Sequence, residues 1–392
     1  MANFGKKLHL RSLRYEIYDS AESLPANWDE IAAGNIFLST GYLKVLDVSA
    51  PANMQCHYIA VHSDTELCGI AVSQFLDMSS IQSFGERDNR LKNKIRTFAF
   101  RNFSSNVLII GNNMLTGQNT CRFLPDVDRQ AVLPVLNDAM LAIERKLSKS
   151  GKKMHLFIWK DFPQTQIGVF NLPFFKSYFN FTTQPNMVFG IPDHWKNECD
   201  YVDALNKKYR DQYKRARKKS AGIIRRELSL DEIATFRKSI YDLYMTVASN
   251  APFNTFYLSE NHFLVMKWQL GENFIFCGYF LGDELVGFNT MIRNGRDIDT
   301  YFLGYSDSFQ KTHMLYLNML YDMIAFAIEN RSGKIIFART ALEIKSSVGA
   351  EPETLHGLIR HSNPLINWLM PQLFSYFEPD VPWQQRHPFK LQ

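Results

Sequence analysis

What this chain lacks narrows its class first. It has only five cysteines in 392 residues: Cys56, Cys68, Cys121, Cys199 and Cys277. Their number is odd and none sits in CxxC spacing, which argues against a disulfide framework and leaves buried free thiols as the expectation. The ten histidines form no HExxH and no Cys/His cluster with ligand spacing, so no metal site is expected. There is no Walker loop and no GxGxxG, which counts against kinase and dehydrogenase chemistry. The N-terminus has no signal-peptide apolar block, and no uncharged apolar run reaches the ~18 residues of a membrane span. These absences predict a soluble, cytoplasmic protein, with peripheral contact at the inner membrane face left open. A net charge of +5 is too small by itself to imply nucleic acid.

What is present is apolar and aromatic. The chain is 46% hydrophobic and 21% charged, as globular proteins are, and long enough for two domains. It carries 31 Phe and 17 Tyr, most of which must be core.

The stretch 273–352 organises the reading. Apolar strands are predicted at 274–280, 285–292 and 297–303, with hairpin signals at Gly282-Asp283 and Asn294-Gly295. A polar loop, a helix at about 313–329 and a strand at 335–338 follow. Earlier the same order occurs: strands at 57–61 and 70–75, a strand at 107–110 ending in Gly111-Asn112, a helix at about 126–147 and a strand at 154–159. Glu-Leu-x-Gly stands at 66–69 and again at 284–287, each time inside a hairpin. The chain therefore reads as two copies of one α/β unit. A basic insert, 77–106, interrupts the first copy. The Phe-rich stretch 162–191 is expected to pack between the copies. A helix at 201–220 joins them, with Lys207, Arg210, Lys214, Arg217 and Lys218 on a basic face opposite a tyrosine stripe. The expected units are 1–195, the basic linker helix 196–226, and 227–392 with the active site.

Four stretches carry a resemblance. Tyr209-Arg210 with the basic run after it, Leu285-Val-Gly-Phe288, Leu315 to Tyr321, and Arg339 to Lys345 with Gly349 resemble the tandem GNAT-like acyltransferases, which include the Fem-type peptidoglycan aminoacyltransferases. Gly111-Asn112 is similar to the family's first-copy strand end. The resemblance implies an α/β (α+β) fold of two tandem GNAT-like units, each a mixed, mostly antiparallel sheet flanked by helices. It implies an N-acyltransferase. The donor would be an acyl thioester on CoA or acyl carrier protein, a co-substrate and not a bound cofactor. The acceptor would be a primary amine on a lipid or cell-envelope precursor. Residues 304–313 lack the glycine loop of small-acyl CoA enzymes, and the coiled-coil arm of tRNA-dependent relatives has no counterpart. A tRNA-dependent aminoacyltransferase and a silent binding protein of the same fold are the alternatives. Nucleic acid is expected only under the first of these.

An apolar strand ending in Arg339-Thr340-Ala-Leu-Glu343-Ile-Lys345 marks the expected site, because polar groups beyond strand ends are where α/β folds do chemistry. Glu343 is the candidate general base; with Arg339 and Lys345 close in sequence, a structural ion pair is the alternative. Tyr305 is the candidate proton donor, or a packing residue. Arg339, Thr340, Lys345, His313 and Asn289 are the candidate substrate- and cofactor-binding residues. The helix start after 304–313 is the expected phosphate seat. Asn318, Asp322 and Glu329 form a polar line on the long helix, expected to face a cleft or the other copy. Phe residues at 156–189 are expected to line a groove for a long acyl chain, or only to glue the copies together. The basic face reads first as a solvated surface, second as a contact with an anionic membrane surface, and third, by analogy with tRNA-using relatives, as a contact with single-stranded RNA.

Overall fold

A computed structural model gives the fold and describes residues 13–79, 104–117, 119–251, 254–372 and 383–390. The basic insert lies mostly outside the described residues. Two sheets carry the architecture. In order across the first are β1 (Leu13–Tyr18), β2 (Met54–Ser63), β3 (Glu66–Asp77), β4 (Asn106–Ile110), β6 (Leu156–Pro163), β15 (Leu355–His361) and β7 (Phe179–Thr182), with β5 (Cys121–Phe123) paired to β3. Across the second are β9 (Ile223–Glu227), β10 (Phe274–Leu281), β11 (Glu284–Asn294), β12 (Asp297–Tyr305), β13 (Lys334–Ala338), β8 (Asn186–Gly190) and β14 (Glu351–Glu353). The pairings are antiparallel except β4 with β6 and β12 with β13. Each unit is thus a mixed, mostly antiparallel sheet flanked by helices.

The repeat has a backbone cause. In the first hairpin Val61 faces Gly69 and His62 faces Leu67, so Cys68 is an extra residue. In the second Tyr279 faces Gly287 and Phe280 faces Leu285, so Val286 is extra. Glu-Leu-x-Gly therefore encodes the same β-bulge twice. Both glycines are needed for close approach: an added Cβ would lie 2.4 Å from the Phe123 ring at Gly69 and 2.8 Å from the Met319 methyl at Gly287.

The expected cuts at 195 and 226 do not part the two sheets. The sixth strand of each comes from the other side of those cuts: β15 completes the first sheet, and β8 completes the second. Two cores lie under the outer faces. One holds the helix Arg129–Lys149 on the first sheet; the other holds the apolar helix Leu315–Glu329 on the second. The predicted linker helix is two helices, Glu198–Ala204 and Lys207–Lys219, broken where Leu205 is extended and Asn206 caps the next start. Tyr201, Tyr209 and Ala216 bury themselves in the second unit's core, so this segment is part of that unit. A third core joins the units, with Trp28, Phe37, Tyr42 and Leu46 packed together with Phe263, Phe274, Phe276 and Phe288. Side chains of this size contribute about 1.5–3 kcal/mol each on burial. The largest rings buried in the Phe-rich segment pack inside the protein, and none of its phenylalanines lines the cavity in the second sheet. Phe162, Phe170 and Phe175 stack edge-to-face with one another or with Trp159 inside the first unit's core. No helix among the described residues is long and apolar enough to cross a membrane.

The exchange of strands makes a prediction. Expressed alone, residues 1–195 lack β15 and half of the shared core, and are expected to show no cooperative thermal unfolding, whereas the full chain does. A sharp melt of the isolated fragment, followed by circular dichroism, would show that the exchanged strand and shared core are dispensable.

Candidate functional site

The second sheet is forked. β12 and β13 pair in parallel only at Ile298 with Ile335 and Asp299 with Ile336, and the Thr300 hydroxyl donates to the Ile336 carbonyl at 3.0 Å where the pairing ends. Beyond this point the strands part and leave backbone edges free of strand pairing. In the first sheet the equivalent pair stays together over four positions, Val107 with Leu156 to Ile110 with Trp159. A cavity of about 560 Å³ occupies the fork of the second sheet. Its walls include Asp299, Tyr305, Tyr316, Arg339 and Lys345, and Lys160 from the first unit. The first-copy strand end also reaches it: the Asn113 amide donates to the Thr255 hydroxyl at 2.8 Å across the units.

Asp299 was not singled out from the sequence. Its signal is an acid inside a run of strand-forming residues, Ile298-Asp299-Thr300-Tyr301. It is 6% exposed, and Oδ2 accepts from the Asn294 amide at 3.1 Å. Burial pushes its pKa up to about 7, with Asn294 acting in the opposite direction. A carboxyl poised there at neutral pH suits proton abstraction.

Lys345, on the short helix Leu342–Ser347, is 5% exposed. Its Nζ donates to the carbonyls of Phe337, Ala338 and Arg339 at 2.6, 3.3 and 2.6 Å. Burial pushes its pKa down to about 7. The strand end it gathers is strained: Ala338, Thr340 and Ala341 all have positive φ, at 58°, 66° and 49°. Non-glycine residues rarely take this conformation, and runs of them concentrate at functional sites.

Arg339 does not pair with Glu343. It donates to the Gln184 carbonyl at 3.1 Å and forms an ion pair with Asp161. Asp161 also pairs with Lys160, so the expected Arg339–Glu343–Lys345 cluster is replaced by Arg339–Asp161–Lys160. Lys160-Asp161 follows the apolar strand of the first copy as Arg339 follows that of the second, so the same rule applied there would have found it.

Glu343 is half-exposed and turned away. Its carboxylate accepts from the Gln384 N–H at 3.0 Å and from Arg386 at 3.2 Å. These donors, Gln384 first, hold its pKa below the ordinary value. Residues i and i+2 of a helix do not share a face, so its position on that short helix separates it from Lys345. Tyr305 and Thr340 do line the cavity, and burial raises the Tyr305 pKa. Asn289 does not line it. It is buried on the helix-covered face, donating to the Tyr279 hydroxyl, which donates to Asp322, both at 2.8 Å. Arg217 completes that network with Asp322, Asn318 and Glu198. Asn318 and Asp322 thus face the basic helix, while Glu329 is exposed. Arg217 is therefore tied into the protein and only partly exposed. Arg210 folds back onto the Leu205 carbonyl at 2.8 Å, and Lys207, Lys214 and Lys218 remain exposed.

The expected loop 304–313 is the end of β12 followed by a helix, Asp307–His313. Its Gln310 side chain accepts the Tyr316 N–H at 2.7 Å, so one donor of the expected phosphate seat is already used by the protein. His313 sits beside Thr312 and Phe309 and is not part of the cavity wall.

No protein-family model matches the sequence, and no curated protein matches it. Solved structures do match. FemX aligns over 91% of this chain and 99% of its own, with TM-score 0.53 and 12% identity. The C-terminal domain of a putative lysylphosphatidylglycerol synthetase from Agrobacterium fabrum aligns over 91% and 97%, with TM-score 0.50 and 5% identity. A tandem GNAT protein from the clavulanic acid biosynthesis pathway aligns over 90% and 99%, with TM-score 0.49 and 10% identity. At such identities the likeness is one of fold. Taken with the doubled unit and its paired bulges, it shows that this chain has the two-unit α/β architecture seen in FemX and the synthetase domain.

Proposed function

We propose that this protein is an N-acyltransferase whose reaction takes place in the fork between β12 and β13. The observation that carries this reading is Asp299, a buried carboxyl in the cavity wall where the pairing of β12 with β13 ends, which burial poises at about 7. The donor's acyl carbon would lie along the free strand edges. The acceptor nitrogen attacks it, the C–N bond forms, and the nitrogen's proton passes to Asp299. The bond to the leaving group then breaks, and that group takes a proton from the Tyr305 phenol, which burial keeps protonated at neutral pH. The acceptor is a primary amine, for which a lipid or cell-envelope precursor is our proposal. The Gln310-capped helix start favours a donor held by its acyl end, as on acyl carrier protein, over one seated by a CoA pyrophosphate. The same observation favours aminoacyl-tRNA as the second reading.

The test is product formation by the full chain from acyl carrier protein thioesters, acyl-CoAs of two to eighteen carbons and aminoacyl-tRNA, each with a panel of amines, read by mass spectrometry. An amide formed from the carrier-protein thioester is expected. No amide from any donor by well-folded protein would leave a binding module of this fold.

A further inference from the structure

In the cavity wall two cations, Lys160 and Arg339, share one carboxylate. Asp161 is buried and pairs with both Lys160 and Arg339, and it also accepts the Gly117 N–H at 3.2 Å. Burial opposes its charge, yet the two cations hold its pKa below the ordinary value, so the trio carries one net positive charge. A structural ion pair needs only one cation. The second brings the costs of burial with no counterion of its own.

The donors of this trio are not used up. The Lys160 Nζ donates to the Leu115 carbonyl at 2.7 Å as well as to Asp161, and an ammonium has a third hydrogen. Arg339 uses Nε on Gln184 and Nη2 on Asp161, and Nη1 has no partner among the described residues. The backbone adds two more donors. Lys345 draws the carbonyls of Ala338 and Arg339 to itself. Each belongs to a planar trans peptide, so the N–H groups of Arg339 and Thr340 point away from Lys345. Neither N–H donates to a protein group among the described residues. Backbone N–H groups of successive residues in strained turns form anion-binding concavities.

We infer that these groups form an anion subsite, and that the acceptor amine carries a carboxylate or phosphate which Lys160, Arg339 and the N–H groups of Arg339 and Thr340 bind. The inference rests on the acyl-transfer reading for the word acceptor, but the subsite can be tested without turnover. Asp299 and Arg339 belong to opposite strands of the fork, so an anion on the second would set the amine of the same molecule toward the first.

The experiment is calorimetric titration of the full chain with inorganic phosphate and with acetate, at constant ionic strength in chloride. Saturable binding of at least one is expected. Arg339→Gln should weaken it at least tenfold. Lys160→Met, which leaves a neutral Arg339–Asp161 pair, should do the same, and serves if the first variant does not fold. Competition then identifies the source: phosphoethanolamine displacing phosphate points to a phosphorylated amine, and glycine displacing acetate points to an amino acid. Ethylamine, which has no anion, should displace neither. No saturable binding to the native protein, or binding that survives in the folded variants, overturns the subsite. Because no donor is present, this result is independent of whether acyl transfer is found.

Discussion

Asp299→Asn is expected to lower amide formation by about 10²–10⁴-fold and, at the same time, to make the protein more stable at pH 8. Both effects come from one fact. The carboxyl titrates at about 7 in the fold and at an ordinary value near 3.8 in the unfolded chain. The folded state therefore holds this proton more tightly. Its contribution to stability is full below about pH 4, is lost progressively as pH rises to about 7, and stays lost above that. An amide has no proton to lose, and its oxygen still accepts from Asn294. The gain at pH 8 should be roughly 2–4 kcal/mol, with no gain at pH 4. Urea midpoints at pH 4, 6 and 8 give the stability, and the native enzyme's rate should fall as pH drops below about 7. Full activity in the variant would remove Asp299 from the mechanism. Equal midpoints at pH 8 would mean that the carboxyl is not held neutral by burial.

The repeat was legible because a bulge is a local device. Glu66-Leu67-Cys68-Gly69 and Glu284-Leu285-Val286-Gly287 fold alike because one extra residue and one close approach demand the same four positions. The exchange of β8 and β15 was not legible, since each strand finds its sheet through pairings distant in sequence that leave no local pattern. Distance along the chain also misled at the site. Glu343 lies beside Lys345 in sequence but turns to different partners, whereas Lys160 and Arg339 come together on Asp161 from opposite units. The basic helix shows the same effect. At about 100° per residue, Lys207, Lys214 and Lys218 share one direction, while Arg210 and Arg217 lie roughly 60–80° round from it, where the protein accepts their hydrogen bonds. A count of charges cannot see that rotation, although helical geometry can. The Phe-rich stretch was misread for a different reason. Aromatic content does not say whether rings meet one another or a ligand, and here they meet one another.

Lys345→Met is expected to destabilise the protein by at least about 3 kcal/mol and to abolish acyl transfer. The lysine binds three successive carbonyls, and a methionine of similar length fills its space without a donor. Those carbonyls would lose their partner in a place closed to most water, at ~1–3 kcal/mol each for any that stay buried. The positive-φ turn at Ala338, Thr340 and Ala341 is held by this cage, so the walls of the cavity would relax along with it. The pH dependence separates the cage from simple packing. Burial pushes the Lys345 pKa down to about 7 from an ordinary value near 10.5, so the unfolded chain holds this proton more tightly. Stability of the native protein from this group is then flat below pH 7 and rises between about 7 and 10. The methionine variant has no such rise, so the gap between the two proteins should widen with pH. A gap that stays constant from pH 7 to 10 would mean that the three carbonyls keep Nζ as an ammonium throughout. A urea midpoint equal to that of the native protein, with transfer intact, would remove Lys345 both from the architecture of the fork and from its chemistry.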